Sequence, residues 1–348
     1  MTVVIGPAPR LLFLVATARE NPRSVDQLVS LLAPHKVVIH HDRTARSVPG
    51  FKPSPNLQLA PGPGRAGWGV WALVEAIRET MRHCLRHHEF DYLQVLSGSC
   101  LPIRPIADFQ RFVATDPFDV HMDSLDLRSQ DHAVSSYAYR LLADHGTFSF
   151  RALRALRRLQ LGPEPERRPI GGLEVHIAEG IKLLALLDPI LLAAMRWQGR
   201  MVANAPGIDP IVGSNWFGLK RDACAFLVER LSEPRIIRHF SGRHLVEEYA
   251  FSSILAGSPF RIGPSNHLVN EFDQDGHPVR FGLKDLQRLS ASTRWFARKF
   301  PDDVNAQLRQ AIGVLLRSTG TAHSRHGPAI RASTEVTARV NQPVKERQ

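Results

Sequence analysis

Two pairs of carboxylates have the residue types and the spacing for acid–base or metal chemistry. Glu247-Glu248 stands at the start of an apolar run, where it would open a helix. A carboxylate there could act as a general base, although acidic residues in a first turn ordinarily complement the helix dipole. Asp273-Gln-Asp275 could hold a divalent cation against a diphosphate. Because Asp275-Gly276 is also a strong turn signal, the sequence favours a turn at this pair.

A glycine-rich stretch matches the outline of a dinucleotide-binding fingerprint. Residues Gly62–Gly67 read GPGRAG and lie between a possible strand at Leu57–Leu59 and a helix. Pro61 and Pro63, however, lack the backbone donors that would bind a pyrophosphate. The sequence therefore favours a flexible loop here, with nicotinamide binding as the alternative.

The composition indicates a globular and strongly basic chain. Its 348 residues are 43% hydrophobic, enough to bury a substantial core, and no apolar stretch reaches the roughly 20 residues that span a bilayer. The net charge of +11 favours polyanionic partners such as nucleic acid, an anionic membrane surface or phosphorylated ligands. Three scattered cysteines without CxxC spacing argue against thiolate metal sites and favour a reducing, cytoplasmic setting.

Both ends of the chain allow two interpretations. Near the N-terminus, Leu11–Val15 is apolar and Ala16-Thr17-Ala18 resembles a signal-peptidase site. We favour a buried first strand, followed by a helix that opens at Asn21-Pro22. At the other end, residues 316–348 predict a basic, disordered tail. This tail is either solvated or a peripheral contact with anionic lipid at the inner face of a membrane.

The first hundred residues alternate strands and helices. The predicted elements are strand Leu11–Val15, helix Ser24–Leu32, strand Val37–Ile39, helix Val70–Leu85 and strand Tyr92–Leu96. This alternation predicts a parallel sheet in an α/β fold. Ligands bind beyond the carboxyl ends of such strands, and Asp42 and Ser97–Cys100 occupy that position.

The remainder of the chain has weaker patterns and no internal repeat. The predicted elements are a helix at Phe109–Val113, a strand at Val120–Met122, a basic amphipathic helix at Ser149–Leu159, an apolar helix at Ile181–Met195, an aromatic strand at Gly213–Leu219, and helices at Asp222–Leu231 and Glu247–Leu255.

Seven segments, in the same order, resemble motifs of the core-2/I-branching β-1,6-N-acetylglucosaminyltransferase family (glycosyltransferase family 14), which also holds the peptide O-xylosyltransferases. They are the first strand with Asn21-Pro22; Ile39–Asp42; Trp68-Gly69 with Leu73–Ala76; Asp91–Pro102; Gly213–Phe217 with Arg221-Asp222; Val246–Tyr249; and His277-Pro278 with Trp295–Phe300. Each segment is weak by itself, but seven in the right order are specific. The missing cysteines and membrane anchor of the eukaryotic members indicate a bacterial-type member.

The resemblance implies one large catalytic domain over residues 1–315, with a GT-A-like, Rossmann-type, mostly parallel sheet flanked by helices. Its nucleotide-binding half would cover about residues 10–125, and its acceptor half about 126–315. The implied activity is inverting transfer of a sugar from a UDP-sugar to a glycan hydroxyl, without a metal or a cofactor. UDP-N-acetylglucosamine is the expected donor and UDP-xylose the alternative. The acceptor would be a cell-surface or exported glycan, its lipid-linked precursor, or a peptide.

The residues that bind the donor and activate the acceptor in that family match particular positions here. The catalytic base matches Glu248, the diphosphate-binding lysine Lys299, and the nucleotide-contacting aspartate Asp42. A second phosphate-binding arginine matches Arg280 or Arg298. Fixed cations of this kind would stabilise the negative charge that develops on the diphosphate as the nucleotide leaves.

Contacts to the sugar or the acceptor are expected from Ser97, Gly98, Cys100, Trp216 and Glu247. Trp216 could stack on a sugar face or serve as a core aromatic. Cys100 stands where the family has an aspartate, which raises the alternative of a degenerate transferase that binds nucleotide without turnover. A non-catalytic nucleic-acid-binding protein is suggested by the charge alone. We expect no nucleic-acid partner, because the chain lacks a binding module or a basic stripe flanked by aromatics.

Overall fold

The computed structural model describes residues 7–43, 50–126, 208–273 and 277–322, apart from Pro63, Arg65, Trp68, Pro210 and residues 242–244. It also describes the backbone of two short strands between residues 167 and 176. The helices predicted at Ser149–Leu159 and Ile181–Met195 lie outside the described residues, as does the tail beyond residue 322.

A seven-stranded sheet forms the centre of the fold, in the order β12-β6-β11-β4-β1-β2-β3. Its strands are β1 (Leu11–Thr17), β2 (Lys36–His41), β3 (Leu57–Leu59), β4 (Tyr92–Ser97), β6 (Val120–His121), β11 (Gly218–Lys220) and β12 (Ile262–Gly263). All of them run in one direction except β11, which is antiparallel to both neighbours. The fold is therefore α/β with a mostly parallel sheet, compatible with a Rossmann-like arrangement.

The first strand lies inside this sheet, between β4 and β2, and is covered on both faces. Leu12 and Leu14 belong to the hydrophobic cluster on one face, whereas Leu11, Phe13 and Val15 belong to the cluster on the other. All five side chains are buried. An uninterrupted apolar run is what a strand covered on both faces requires, so the prediction of a strand here is confirmed.

The helices within the described residues are α1 (Pro22–Leu31), α2 (Trp71–His87), α3 (Ile106–Thr115), α4 (Arg221–Arg230), α5 (Pro234–Phe240), α6 (Glu247–Ala256), α7 (Leu286–Ser290) and α8 (Gln307–Ala322), with a 3₁₀ turn at Leu283–Asp285. The start of α1 is as predicted: the Asn21 side chain accepts a hydrogen bond from the amide of Arg23 at 3.0 Å, and Pro22 occupies the first turn. Helix α2 packs against α4 and α6.

Short strands form smaller sheets beside the central one. A three-stranded sheet contains β14 (Phe296–Arg298) between β5 (Leu101–Pro102) and β13 (Leu268–Asn270). In addition, β7 (Ser124–Asp126) pairs with β10 (Ile211–Gly213), and β8 (Arg167–Ile170) pairs with β9 (Leu173–His176).

The strand predicted at Gly213–Leu219 is wrong in its extent. Strand β10 ends at Gly213, and β11 begins at Gly218 in a different sheet. Gly213 lies so close to β7 that a Cβ atom there would be 2.4 Å from the carbonyl oxygen of Asp123. The chain therefore leaves one sheet and enters another across Ser214–Phe217, a change that an aromatic run does not reveal.

The end of the described chain is also different from the prediction. Helix α8 continues to Ala322, so residues 316–322 are helical instead of belonging to a disordered tail. Leu308 and Ile312 hold this helix on the core because both are buried in the hydrophobic cluster that also contains Val25 and Leu28 of α1. No helix of the described residues has the length and apolar character needed to cross a membrane.

Candidate active site

The carboxyl ends of β1, β2 and β4 meet at one edge of the central sheet, where they end in Thr17, His41 and Ser97. Strand β2 lies on one side of β1 and β4 on the other, so the strand order reverses at this point. Ligands of open α/β sheets bind at such switch points. Asp42 and the turn Ser97–Cys100 stand at this edge, as the sequence predicts.

Asp42 follows β2 and is buried. Its carboxylate accepts hydrogen bonds from the amides of Ala66 at 3.3 Å and Gly67 at 3.0 Å. A dinucleotide fingerprint would offer these amides to a pyrophosphate, so this contact argues against the nicotinamide alternative. A shallow depression, open to solvent, lies at the end of β2 and is lined partly by His40, Arg43 and Gly64.

Glu247 and Glu248 begin helix α6, but they have different surroundings. Glu247 is completely buried, and its Oε1 accepts a hydrogen bond from the amide of Gly69 at 3.0 Å. Burial is the main cause that raises the pKa of Glu247 to about 7. The Glu247 carboxylate is turned into the protein and bound to backbone, and its contact with an acceptor stays a prediction.

Glu248 is only partly buried. Burial raises the pKa of Glu248 to about 7, and the Arg298 guanidinium opposes this shift. A carboxylate with this pKa exists in both protonation states near neutral pH, which suits a group that accepts and releases a proton. Glu248 is thus the carboxylate of α6 that has both partial exposure and a nearby cation.

The turn Ser97–Cys100 is buried and closed by its own side chains. The Cys100 thiol accepts a hydrogen bond from the amide of Ser97 at 3.3 Å and lies 3.2 Å from the Ser97 hydroxyl. Burial raises the pKa of Cys100, although Arg298 opposes the shift, so the thiol is not activated as a nucleophile.

Gly98 has a packing role in the same turn. A Cβ atom at Gly98 would lie 2.9 Å from Cγ2 of Thr17 and 3.2 Å from Cγ of Glu20. The close approach of two strand ends therefore requires glycine here. In the structure Ser97 and Cys100 contact each other, and Gly98 packs against Thr17 and Glu20. Acceptor or sugar contacts from these three residues stay a prediction.

Strand β14 brings cations to this edge of the sheet. It is antiparallel to β5, with Ala297 opposite Leu101, and the amide of Phe300 donates to the carbonyl of Ser99 at 3.1 Å. Arg298 lies between these two contacts, and its guanidinium lies over the Trp216 ring at 5.1 Å from the ring centroid. Within the described residues, the Arg298 Nε is buried without a hydrogen-bond partner, so this group can donate to a ligand.

Lys299 and Arg280 stand beside each other on neighbouring backbone segments. The amide of Lys299 donates to the carbonyl of Val279 at 3.2 Å, and its carbonyl accepts from the amide of Phe281 at 3.0 Å. These two bonds lie on either side of Arg280, which is exposed, whereas Lys299 is half-buried. Arg298 is the cation of the three that acts on Glu248, and Lys299 with Arg280 forms a second pair next to it.

Trp216 is half-buried and packs against the hydrophobic clusters of both sheet faces. The Arg298 guanidinium covers one face of its ring. Trp216 therefore packs against Arg298, the cation whose charge acts on Glu248. The ring is also partly exposed, and the stacking of a sugar on it stays a prediction.

Asp273, the described member of the Asp273/Asp275 pair, lies in a turn. The Asp273 carboxylate accepts from the amide of His277 at 2.8 Å, and the amide of Asp273 donates to the carbonyl of His277 at 2.9 Å. Asp275 lies outside the described residues. In the part of the chain that the structure describes, no group of three or more His, Cys, Asp and Glu side chains is arranged to hold a metal ion.

Gly69 was expected only as part of a family motif, and Arg298 only as an alternative phosphate-binding residue; the contact of Gly69 with Glu247 and the influence of Arg298 on Glu248 were not predicted. Gly69 adopts a left-handed φ of 76° and binds Glu247 across a long sequence separation. The four glycines of residues 62–69 were the available signal, since clustered glycines mark a segment with unusual backbone angles.

No protein-family model matches the chain, and no curated protein matches it.

Proposed function

We propose that the chain is an inverting, metal-independent glycosyltransferase with a GT-A-like fold that uses a UDP-sugar as donor. The proposal includes N-acetylglucosamine as the transferred sugar and a hydroxyl of a cell-surface or exported glycan as the acceptor. One observation carries it: burial raises the pKa of Glu248, a partly exposed carboxylate, to about 7, and the charge of the Arg298 guanidinium on β14 acts on it in the opposite direction.

This arrangement has the groups that the reaction needs. Glu248 takes the proton of the acceptor hydroxyl while the acceptor oxygen bonds to the anomeric carbon. The bond between that carbon and the diphosphate breaks on the opposite face, so the configuration inverts and UDP leaves with its electron pair. UDP needs no proton to leave at neutral pH. One carboxylate is therefore sufficient on the protein side.

The cations of β14 and its neighbour stabilise the leaving group. Negative charge grows on the diphosphate as the bond breaks, and the positive charges of Arg298, Lys299 and Arg280 stabilise it. Arginine presents a planar set of donors to phosphate oxygens, while lysine contributes a mobile point charge. Asp42 is expected at the nucleotide end, next to the shallow depression at His40 and Arg43.

The setting that we propose is the cytoplasm or the inner face of a membrane. Cys84, Cys100 and Cys224 are free and buried, which suits a reducing compartment. Peripheral contact with anionic lipid through the basic C-terminal residues belongs to this proposal as well.

The experiment is hydrolysis and transfer by the purified full chain with a panel of UDP-sugars, in excess EDTA. We expect turnover of UDP-N-acetylglucosamine in EDTA; turnover of UDP-xylose alone would move the proposal to an O-xylosyltransferase-like enzyme. Loss of activity in EDTA with recovery in Mn²⁺ would contradict metal independence. No turnover of any donor, together with a salt-dependent gel shift on nucleic acid, would replace the enzyme with a binding protein.

A further inference from the structure

The glycine-rich segment, residues 62–69, is attached at both ends to the candidate active site. At one end, the amide of Arg43 donates to the carbonyl of Gly64 at 2.7 Å, and Asp42 accepts from the amides of Ala66 and Gly67. At the other end, Gly69 contacts the first turn of α6. The segment therefore joins the end of β2 to the helix that carries Glu248.

Gly69 is bound to the start of α6 and to the residues just before it through both of its backbone polar groups. Its amide donates to Oε1 of Glu247 at 3.0 Å, and its carbonyl accepts from the amide of Leu245 at 2.9 Å. The amide of Glu248 in turn donates to the carbonyl of Leu245 at 3.0 Å. Residues 245, 247 and 248 thus belong to one hydrogen-bonded turn that is docked on Gly69.

The segment needs such anchors because its own backbone is permissive. Gly62, Gly64, Gly67 and Gly69 all have positive φ angles, from 59° to 119°. Glycine reaches these angles without steric cost but loses more conformational freedom than any other residue when it is fixed. The amides of the segment donate hydrogen bonds to two buried carboxylates, and these bonds supply the order that the glycine-rich sequence does not.

Glu247 is an unusual choice for a purely structural residue. Its side chain is completely buried, and within the described residues its Oε2 has no hydrogen-bond partner. A first-turn glutamate that only complements the helix dipole would remain in water, where its charge is solvated. Burying a carboxylate with one partner is costly, which indicates that the contact with Gly69 is needed for something other than stability.

We propose that Glu247 is a positioning residue: by holding Gly69 against the first turn of α6, it fixes Glu248 relative to Asp42 and the nucleotide end of the site. This inference rests on the proposed function. It assigns the glycine-rich segment a role as a spacer between the donor and the base.

The first test is the kinetics of Glu247→Ala, Glu247→Asp and Glu247→Gln with the best donor of the panel. We expect kcat of Glu247→Ala to fall about ten- to hundredfold with the donor KM within about twofold, because a small displacement of a base costs rate more than binding. Aspartate is one methylene too short to reach Gly69 and should behave like alanine. Glutamine keeps an acceptor oxygen and should restore most of kcat.

The second test is hydrogen exchange of the Gly69 and Gly67 amides in the same proteins. Glu247→Ala should release the Gly69 amide and leave the Gly67 amide, which Asp42 holds, protected. If Glu247→Ala fails to fold, Gly69→Ala disturbs the same contact from the other side, since alanine is strained at a φ of 76°. Glu229→Ala, at an exposed position on α4, is the control for both readouts.

The outcomes separate the two proposals. A wild-type protein without turnover refutes the proposed function, whereas an active wild type with unchanged kcat in Glu247→Ala refutes only the positioning role. Unchanged Gly69 exchange in Glu247→Ala refutes the contact itself. A fall in kcat with Gly69 released, and recovery of both in Glu247→Gln, supports the proposal.

Discussion

Two regions of the molecule bury titratable side chains, and they differ in whether the buried polar atoms have hydrogen-bond partners. The buried histidine network consists of Tyr92, Asp116, His121 and His267. The Tyr92 hydroxyl lies 3.1 Å from Nδ1 of His121 and 3.1 Å from Nε2 of His267, and Nε2 of His121 lies 3.1 Å from Asp116. The other region is the candidate active site at the carboxyl edge of the sheet.

The difference lies in how completely the polar atoms are paired. None of the side-chain polar atoms of the histidine network is buried without a partner, whereas Oε2 of Glu247 and Nε of Arg298 are. Burial lowers the pKa of His121 to about 4, so this imidazole is neutral at neutral pH. Glu248 has a pKa near 7 and a charged neighbour. A fully paired network stabilises a fold, while unpaired groups beside a crevice are available to a ligand.

The largest expected effect is on catalysis by Glu248→Gln. Removing a general base should lower kcat about a hundred- to ten-thousandfold. Binding of UDP, measured by calorimetry, should persist because the cations remain. Glu229→Gln, exposed on α4, is the matched control and should retain wild-type turnover. Full activity in Glu248→Gln would remove the base from the proposed mechanism.

Gly218→Ala tests the histidine network through packing. A Cβ atom at Gly218 would lie 1.8 Å from the Tyr92 hydroxyl and 2.8 Å from Oε1 of Gln94. Overpacking of this kind should lower the free energy of unfolding by about 1–3 kcal/mol, with kcat unchanged at temperatures where the protein is folded. Gly282→Ala, where nothing lies within 4 Å, should have little effect. A large fall in kcat without loss of stability would show that the network belongs to the active site.

The pH dependence of stability should also differ between the two regions. The pKa of His121 is lower in the folded protein than in the unfolded chain, so its contribution is present above about pH 6.5 and is lost as the pH falls towards 4. The loss for one such group is at most about 3 kcal/mol. Urea unfolding from pH 7.5 to 4.5 should show it, and His121→Gln should flatten the curve. His87→Gln, an exposed histidine on α2, should not.

The smallest expected effect is the contribution of Glu248 to stability, whose pH dependence is opposite to that of His121. Its pKa is raised in the folded protein to about 7, so its contribution is present below about pH 4.5 and is lost as the pH rises through 7. Glu248→Gln removes this loss. At pH 8 the variant should therefore be more stable than wild type and melt at a higher temperature. The gain in the free energy of unfolding should be only about 1 kcal/mol, because the group is partly solvated. Equal melting temperatures at pH 8 would contradict the burial of this carboxylate.

The sequence predicts one part of this fold much better than the other. Leu11–Val15 is an uninterrupted apolar run and Tyr92–Leu96 is interrupted only by Gln94; a parallel strand covered on both faces needs such a run. In contrast, β5 and β14 are two and three residues long, too short for any periodicity to appear. The sheet that positions Arg298 therefore depends on pairing between distant segments, which the sequence does not display.

The sequence likewise predicts some residues of the candidate site better than others. Asp42 could be placed beyond a strand end because the preceding run is apolar and short. The burial of Glu247 could not be predicted, since acidic residues in a first turn are ordinarily exposed. Its environment depends on Gly69, which is far away in the chain and is brought close by the packing of α2 against α6.

The central claim is that Glu248 accepts a proton under the control of Arg298. The most direct measurement is the pH dependence of kcat/KM for sugar transfer, between pH 5 and 9, in wild type and Arg298→Ala. Wild type should lose activity below a midpoint near pH 7, where Glu248 becomes protonated. Because Arg298 lowers the pKa of Glu248, that midpoint should move to higher pH in the variant, whatever its maximal rate. A wild-type profile that is flat through pH 7, or a midpoint that stays in place without Arg298, would contradict the claim.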